Sequence, residues 1–530
     1  MTPSAAPPPK GPSGPSGSQA SLVADKGLRG GALGLFSSTV IGLASTAPAY
    51  SLAATLGVIA AVVGLQSPVV IILAFVPMFL IAYGYKGLNQ VDPDCGTTFT
   101  WASRAFGPHT GWLGGWGIVA ADIIVMANLA QIAGQYGFQL VGAPGLAHNT
   151  LWTMVAGVVW IALMTWICYI GIEVSANLQK VLLTVEVVML LVLAVTALVK
   201  VYSGTAPGTS LHIAWSWFDP TRLRSLDAFT TGILTTVFIY WGWDSCVSVN
   251  EETADRTRTP GRAAVTSTVI LLCVYLLVAT SALSFAGVAR TGIGLANPDN
   301  ASDVLSNLGN EVFGSGAGGQ ALTKLLILMV LTSAAASTQT TILPTARTTL
   351  SMATFKALPA HFARVHPRFL TPTWSTVGMG LASAVFFVLL SRVSENLLAD
   401  SIGSVGLMIA FYYGLTGFAC VWYFRKVLHL GPRALWTRGI MPGLGGAMLL
   451  YFFVDACVVY AAPDYGSTSW TLPFPPHWQL GGVFVTGLGS LVLGGVLMLV
   501  YRLISPAFFR QEIIAVSAHE KDHAPDEERP

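Results

Sequence analysis

Apolar runs of twenty or more residues follow one another along most of the chain, parted by short polar stretches. A helix needs roughly 20 apolar residues to cross about 30 Å of hydrocarbon, so the pattern predicts membrane-spanning helices. Twelve runs are read: 33–62, 67–88, 112–140, 151–171, 178–202, 228–250, 263–289, 322–346, 374–391, 400–424, 440–461 and 480–503. Residues 1–30, with Pro7-Pro8-Pro9 and repeated Gly-Pro-Ser, build no core and read as a disordered tail. They hold no apolar segment of signal-peptide type. Residues 506–530 are charged and read as a second tail that frays in water. A single transmembrane domain, 31–505, is expected between them.

Composition strengthens this picture. Hydrophobic residues make up 53% of the chain and charged residues 10%, with mean hydropathy +0.65, whereas a soluble protein carries about 25% charged residues. The expected class is an all-α polytopic membrane protein surrounded by lipid. Nucleic acid is excluded as a partner, because 27 Lys+Arg against 25 Asp+Glu leave only +2 and no basic face. Five of the 6 cysteines (Cys168, Cys246, Cys273, Cys420 and Cys457) sit in apolar runs, as small hydrophobes do. With the N-terminus inside, 21 of the 27 Lys and Arg fall on the inner side and six on the outer. Twelve spans in the cytoplasmic membrane, with both termini cytoplasmic, are therefore expected.

Two runs are unsuited to plain helices. Residues 30–64 would extend about 50 Å as one helix, and their middle reads Ile41-Gly42-Leu43-Ala44-Ser45-Thr46-Ala47-Pro48. Pro48 removes a backbone donor and crowds the preceding turn. The sixth run carries Phe238-Ile239-Tyr240-Trp241-Gly242-Trp243-Asp244-Ser245. Backbone interruptions survive in lipid only where they line a protein cavity. Runs 1 and 6 hold corresponding places in two halves of five, the arrangement of transporters with inverted repeats and a midplane site. The inner connection 89–110 mirrors the outer connection 291–321. A pocket sized for one small zwitterion is expected between the two breaks.

The chain resembles the amino acid–polyamine–organocation superfamily, specifically its bacterial amino acid permeases, over about residues 30–505. The likeness rests on Ile41-Gly42, on Val91-Asp92-Pro93-Asp94-Cys95-Gly96 through Trp101, and on Arg104-Ala105-Phe106-Gly107. It also rests on Tyr240-Trp241-Gly242-Trp243-Asp244 leading to Glu251-Glu252-Thr253, and on Ala346-Arg347 leading to Ala357-Leu358-Pro359. The resemblance implies a five-plus-five inverted repeat with helices 1 and 6 broken and helices 11 and 12 peripheral. It also implies a substrate site. Amides following Gly42 (Leu43, Ala44, Ser45, Thr46) would hold a carboxylate, carbonyls of Ile41, Phe238 and Trp241 an ammonium, and Phe238 would be an aromatic lid. Simple packing is the other reading of Phe238, Tyr240, Trp241 and Trp243. The family usually carries Gly-Ser-Gly at the first break; Gly42-Leu43-Ala44 here lacks the second glycine and its backbone freedom.

Acids within apolar runs are the sharper chemical signal, because an isolated one must be paired, protonated or wetted. Glu186 lies deep in the fifth run, where many relatives carry a lysine. It reads as a proton acceptor faced by Thr338 and Thr341, with a neutral hydrogen-bonded glutamate or a sodium site as alternatives. Asp244, beside Gly242, reads as holding the broken backbone. Asp122 projects roughly 140° from the stripe Asn128, Gln131, Gln135 and Gln139, so only one of the two can face a narrow pathway; if Asp122 does, a cationic substrate is favoured. Glu251 and Glu252 stand near Arg256, Arg258 and Arg262. They read either as an inner-gate network, with Arg347 or Arg104, or as a solvated interfacial cluster.

No histidine falls inside a run, and no metal-ligand spacing is found. The expected function is a secondary active transporter of amino acids, by proton-coupled import or exchange, with a small-molecule substrate and no obligatory protein partner. A carrier of polyamines, other organic amines or potassium is the near alternative. An enzyme would need a nucleophile and base or an HExxH set at membrane depth, and the sequence offers neither; an ion channel would want rings of carbonyls or charges.

Overall fold

The computed structural model describes residues 26–513 apart from 148, 224, 301–303, 394 and 467; the parts of both predicted tails before 26 and after 513 lie outside the described residues. The chain is built almost wholly of helices. The first run is two helices, α1 (Leu35–Ser45) and α2 (Pro48–Val63), followed by α3 (Ser67–Val91), α4 (Thr98–Phe106) and α5 (Pro108–Leu140). A short turn, α6 (Pro144–Ala147), leads to α7 (Thr150–Tyr169) and α8 (Ile172–Tyr202). The sixth run is α9 (Leu226–Ile239) and the single turn α10 (Ser245–Ser248), before α11 (Thr259–Ala286) and α12 (Val304–Phe313). The rest comprises α13 (Ala317–Thr354), α14 (Thr373–Val393), α15 (Glu395–Phe424), α16 (Pro432–Ala434), α17 (Met441–Tyr460), α18 (Gly482–Ile504) and α19 (Pro506–Phe509). A small antiparallel hairpin, β1 (Ser469–Thr471) with β2 (Gln479–Gly481), lies between α17 and α18.

Among the described residues, 10 stretches are long and apolar enough to cross a membrane. The first, Leu35–Val91, covers nearly all of the first two predicted runs, and α9 alone, at 14 residues, is too short to count. Helix α1 packs against both α11 and α13, and α5 packs on α13 and α15. Tight contact depends on small residues, as is usual between membrane helices. A Cβ on Gly42 would lie 2.7 Å from Ser267 Oγ of α11 and 3.2 Å from the Trp243 carbonyl.

Both breaks are present, with local causes. Ala47 is forced to φ +44°, a left-handed conformation unusual for a residue with a Cβ, and Pro48 opens α2 without needing a donor. Hydroxyls satisfy carbonyls freed there: Thr46 Oγ1 donates to the Leu43 carbonyl at 2.7 Å, and Ser51 Oγ to that of Thr46 at 2.6 Å. At the second break Gly242 takes φ +112°, and Tyr275 donates its hydroxyl to the Ile239 carbonyl. Each backbone group so paired avoids the several kcal/mol that an unsatisfied one costs in hydrocarbon.

The ends of the domain differ from the sequence expectation. Lys26, assigned to the disordered tail, is buried, and Leu33 pairs by backbone with Glu252 and Ala254. Past residue 505 the chain does not fray at once: Phe508 and Phe509 are buried, Phe508 stacking on Phe99 at 5.4 Å. Apolar burial outweighs the charged composition of the tail's remainder.

Candidate functional site

The two breaks meet. Ser45 Oγ, at the end of α1, lies 2.8 Å from Ser245 Oγ, at the start of α10. Gly242 permits this approach, since a Cβ there would fall 2.8 Å from Ser45 Oγ. Around the junction is a small cavity lined by Ser45, Asp122, Trp241, Gly242, Asp244, Ser245, Thr341 and Tyr412, with Ile118 and Pro344. Its volume is about 10 Å³, on the order of one water molecule. The predicted pocket for a zwitterion is therefore closed in this conformation, because Trp241 and Tyr412 close together across it: Trp241 Nε1 donates to the Tyr412 hydroxyl at 2.5 Å.

Of the predicted substrate residues, Ser45, Trp241, Gly242 and Asp122 reach this cavity. Others do not. Ile41, Gly42, Leu43 and Ala44 lie inside α1, where helical amides point back to the preceding turn, and the Thr46 amide is bound to the Leu43 carbonyl. The open end of the break is instead the start of α2 at Pro48. Phe238 is buried in the core of α9, and its carbonyl accepts from the Trp241 amide at 3.0 Å. The aromatic side chains at the cavity are Trp241 and Tyr412 rather than Phe238. Tyr240 turns away, its hydroxyl donating to the Ile71 carbonyl at 3.2 Å.

The Ala49 amide at the start of α2 is taken by Glu186. Its Oε1 accepts from Ala49 N–H at 2.7 Å and from Ser333 Oγ at 2.8 Å; Oε2 is buried with no partner. A helix N-terminus favours negative charge, which suits a carboxylate there. Ser333 also accepts from Tyr50 N–H at 3.2 Å. The expected facing hydroxyls are elsewhere: Thr338 accepts from Trp160 Nε1 at 3.3 Å, and Thr341 lines the central cavity. Ser333 sits five residues before Thr338 on the same helix, about one and a half turns away.

Asp244 accepts from the Tyr413 hydroxyl at 2.8 Å and the Tyr412 hydroxyl at 3.3 Å, tying the second break to α15. Asp122 accepts from Thr345 Oγ1 of α13 and faces the cavity, whereas Asn128 of the amide stripe packs against Ser401. The choice left open by helical geometry thus falls to Asp122. Tyr412 and Tyr413, adjacent tyrosines in the middle of the run 400–424, are not among the residues expected from sequence.

A second set of acids lies at the far end of the broken sixth run. Glu252 and Arg347 form a fully buried two-pronged pair, Nε and Nη2 each 2.9 Å from a carboxylate oxygen. Glu251 and Asp94 share Lys26, at 2.5 and 2.7 Å, and Arg104 pairs with Asp92 at 2.7 Å. Lys26 was not anticipated. Its burial disfavours charge, but the carboxylates of Asp94 and Glu251 hold its pKa above the ordinary lysine value. Burial likewise works against the Asp94 anion, yet Lys26, Ser351 and the Gly96 amide hold its pKa below the usual range. Burial pushes Glu251 upward. Asp94, Cys95 and Glu251 bring ligand atoms within 4.8 Å of one another, a grouping absent from the sequence reading; the Lys26 ammonium supplies the positive charge there.

Long apolar helices broken at a shared midpoint, with buried acids around the junction, define a multi-pass membrane transport protein for small molecules. A family model described as "Amino acid permease" matches residues 33–484. The chain belongs to that amino acid permease family, as the resemblance implied. It is 30% identical over 437 residues to an uncharacterized transporter of Mycobacterium tuberculosis, covering 81% of this chain and 87% of the relative. It is 23% identical to a methylthioribose transporter of Bacillus subtilis, covering 59% and 66% of the two chains. It is also 23% identical to a low-affinity putrescine importer of Escherichia coli, covering 71% and 77%.

Proposed function

We propose that this permease moves amino acids across the cytoplasmic membrane by alternating access, as proton-coupled importer or as exchanger. In this reading the twelve runs form twelve spans, the first ten arranged as a five-plus-five inverted repeat with both termini in the cytoplasm. The observation that carries it is Glu186, held by the Ala49 amide and Ser333 at the first break with its second oxygen unpartnered. A carboxyl at that depth is costly unless protonated or matched by a cation. Loading and releasing a proton at Glu186 alters what the start of α2 is bound to, and so couples the proton to movement of the broken helix. Asp122 and Asp244 receive the substrate ammonium once Trp241 and Tyr412 part. The test is uptake of labelled amino acids by proteoliposomes under an inward proton gradient. Accumulation that collapses with a protonophore supports the reading, and uptake indifferent to the gradient overturns the coupling.

Two acids on one cavity with no cation from the described residues favour a second reading, a carrier of polyamines or other organic amines. Ligand binding raises the stability of the folded state. A thermal shift with putrescine and none with any amino acid would select this reading over the first.

A further inference from the structure

On the outer surface of the bundle a groove of about 620 Å³ runs between α7 and α14, walled by Ile161, Ala162 and Trp166 on one side and Val377, Leu381 and Ala384 on the other. Trp166, Trp374 and Leu381 are exposed along it. Polar groups in the wall are few, and the Thr165 hydroxyl is buried without a partner. The α7 side extends from Tyr169 to Val158, about 16 Å at 1.5 Å per residue. That is roughly half of the 30 Å hydrocarbon thickness, the depth of one leaflet. A partner's transmembrane helix would need a seam through both leaflets; a single acyl chain needs only this.

The mouth of the groove carries positive charge. The Tyr169 ring meets those of His366 at 5.5 Å and Phe369 at 5.7 Å, and the Arg368 guanidinium lies 5.6 Å from the Phe369 ring centre. His361 meets Trp374 edge-on at 6.4 Å, and the Thr373 amide donates to the Arg364 carbonyl at 3.0 Å. The segment 355–374 holds Lys356, Arg364, Arg368 and two histidines, with no Asp or Glu. Trp and Tyr at this level are the residues that favour the membrane–water interface.

We propose that the groove is a lipid site, taking one acyl chain of an anionic phospholipid whose phosphate rests on Arg364 and Arg368. The apolar wall selects the chain and the cationic mouth selects the headgroup. Neither feature is used by the substrate path described above. The test is native mass spectrometry of the purified full-length protein with phosphatidylglycerol or phosphatidylethanolamine added. The wild type should retain one phosphatidylglycerol in preference to phosphatidylethanolamine. Ala162→Trp, at an exposed position, should fill the groove and lower retention of both lipids about tenfold. Arg364→Gln with Arg368→Gln should remove the preference for phosphatidylglycerol, at about fivefold per lost charge near a lipid surface, and leave phosphatidylethanolamine unchanged. Equal retention by wild type and Ala162→Trp, or an undiminished preference in the double arginine variant, overturns the proposal. Should Ala162→Trp not fold, the exposed arginine pair decides alone. Retention of a second protein chain in place of lipid also overturns it.

Discussion

The junction of the breaks and the ion network beyond the sixth run both bury carboxylates, yet they treat them in opposite ways. In the network each acid has a cation: Glu252 has Arg347, Asp94 and Glu251 have Lys26, and Asp92 has Arg104. At the junction Asp122, Asp244 and Glu186 are met by hydroxyls and an amide. A carboxylate in a low-dielectric interior is stabilised little by neutral donors compared with a charge-assisted pair. The first set is complete in that every acid touches a cation, a latch across the sixth run, the 89–110 connection and α13. The second set has three acids and no cation partner among the described residues, a deficit that a proton and a substrate ammonium reduce in the proposed function.

The largest effect should follow from breaking the complete set. Arg347→Ala leaves Glu252 buried and unpaired, which costs on the order of 3–5 kcal/mol. A large loss of thermal stability in detergent is expected, and Glu252→Gln in the same background should restore part of it. An Arg347→Ala protein as stable as wild type would mean that the pair is no latch.

Next comes the incomplete set. Asp122→Asn and Asp244→Asn keep the tyrosine and threonine contacts as hydrogen bonds, so folding should survive. Hydrogen bonds to a charged group are worth roughly 1.5–3 kcal/mol. The affinity for an amine-bearing substrate should therefore fall about ten- to a hundredfold, with little change in melting temperature. Loss of stability without loss of affinity would reverse the roles assigned to the two regions.

The smallest effect concerns pH at the latch. Glu251 has its pKa raised by burial, whereas Asp94 is held low by Lys26 despite burial. As pH falls, Glu251 takes up its proton first, above the ordinary glutamate range, while Asp94 stays charged to below the ordinary aspartate range. A raised carboxyl pKa makes charging costly in the fold, so protonating Glu251 does not itself lower stability; Asp94's contribution is lost only on further acidification. Mild acid should therefore speed hydrogen exchange in residues 26–34 without lowering the melting temperature. Unchanged exchange would show that Glu251 does not hold the N-terminal segment.

Much of this architecture can be read from residue order. Run length and hydropathy mark where helices lie, and Pro48 and Gly242 mark where two of them fail, because those signals are local. The errors are of one kind. The break falls within the expected Gly42–Pro48 stretch, but the amides directly after Gly42 are helical, because α1 continues to Ser45 and the chain turns at Thr46–Ala47; glycine tolerates a helix, but the residue before proline resists it. Thr338 and Thr341 were placed opposite Glu186 where Ser333 stands, since a helix buried on every side gives no amphipathic stripe from which to read its facing. Lys26 was assigned to a tail on composition, and its partners, Asp94 and Glu251, lie 68 and 225 residues away. Pairings over such separations are settled by tertiary packing alone. Gly111 and Gly115, by contrast, meet neighbours from the same chain, Ser103, Phe99 and Met352.

In the proposed function the carboxyl at the first break carries the coupled proton, and Glu186→Gln addresses this most directly. That variant keeps the Ala49 and Ser333 contacts available through its amide oxygen but holds no exchangeable charge. In proteoliposomes it should exchange internal for external substrate at near the wild-type rate and fail to accumulate substrate under an inward proton gradient. Full gradient-driven accumulation by Glu186→Gln would contradict the account.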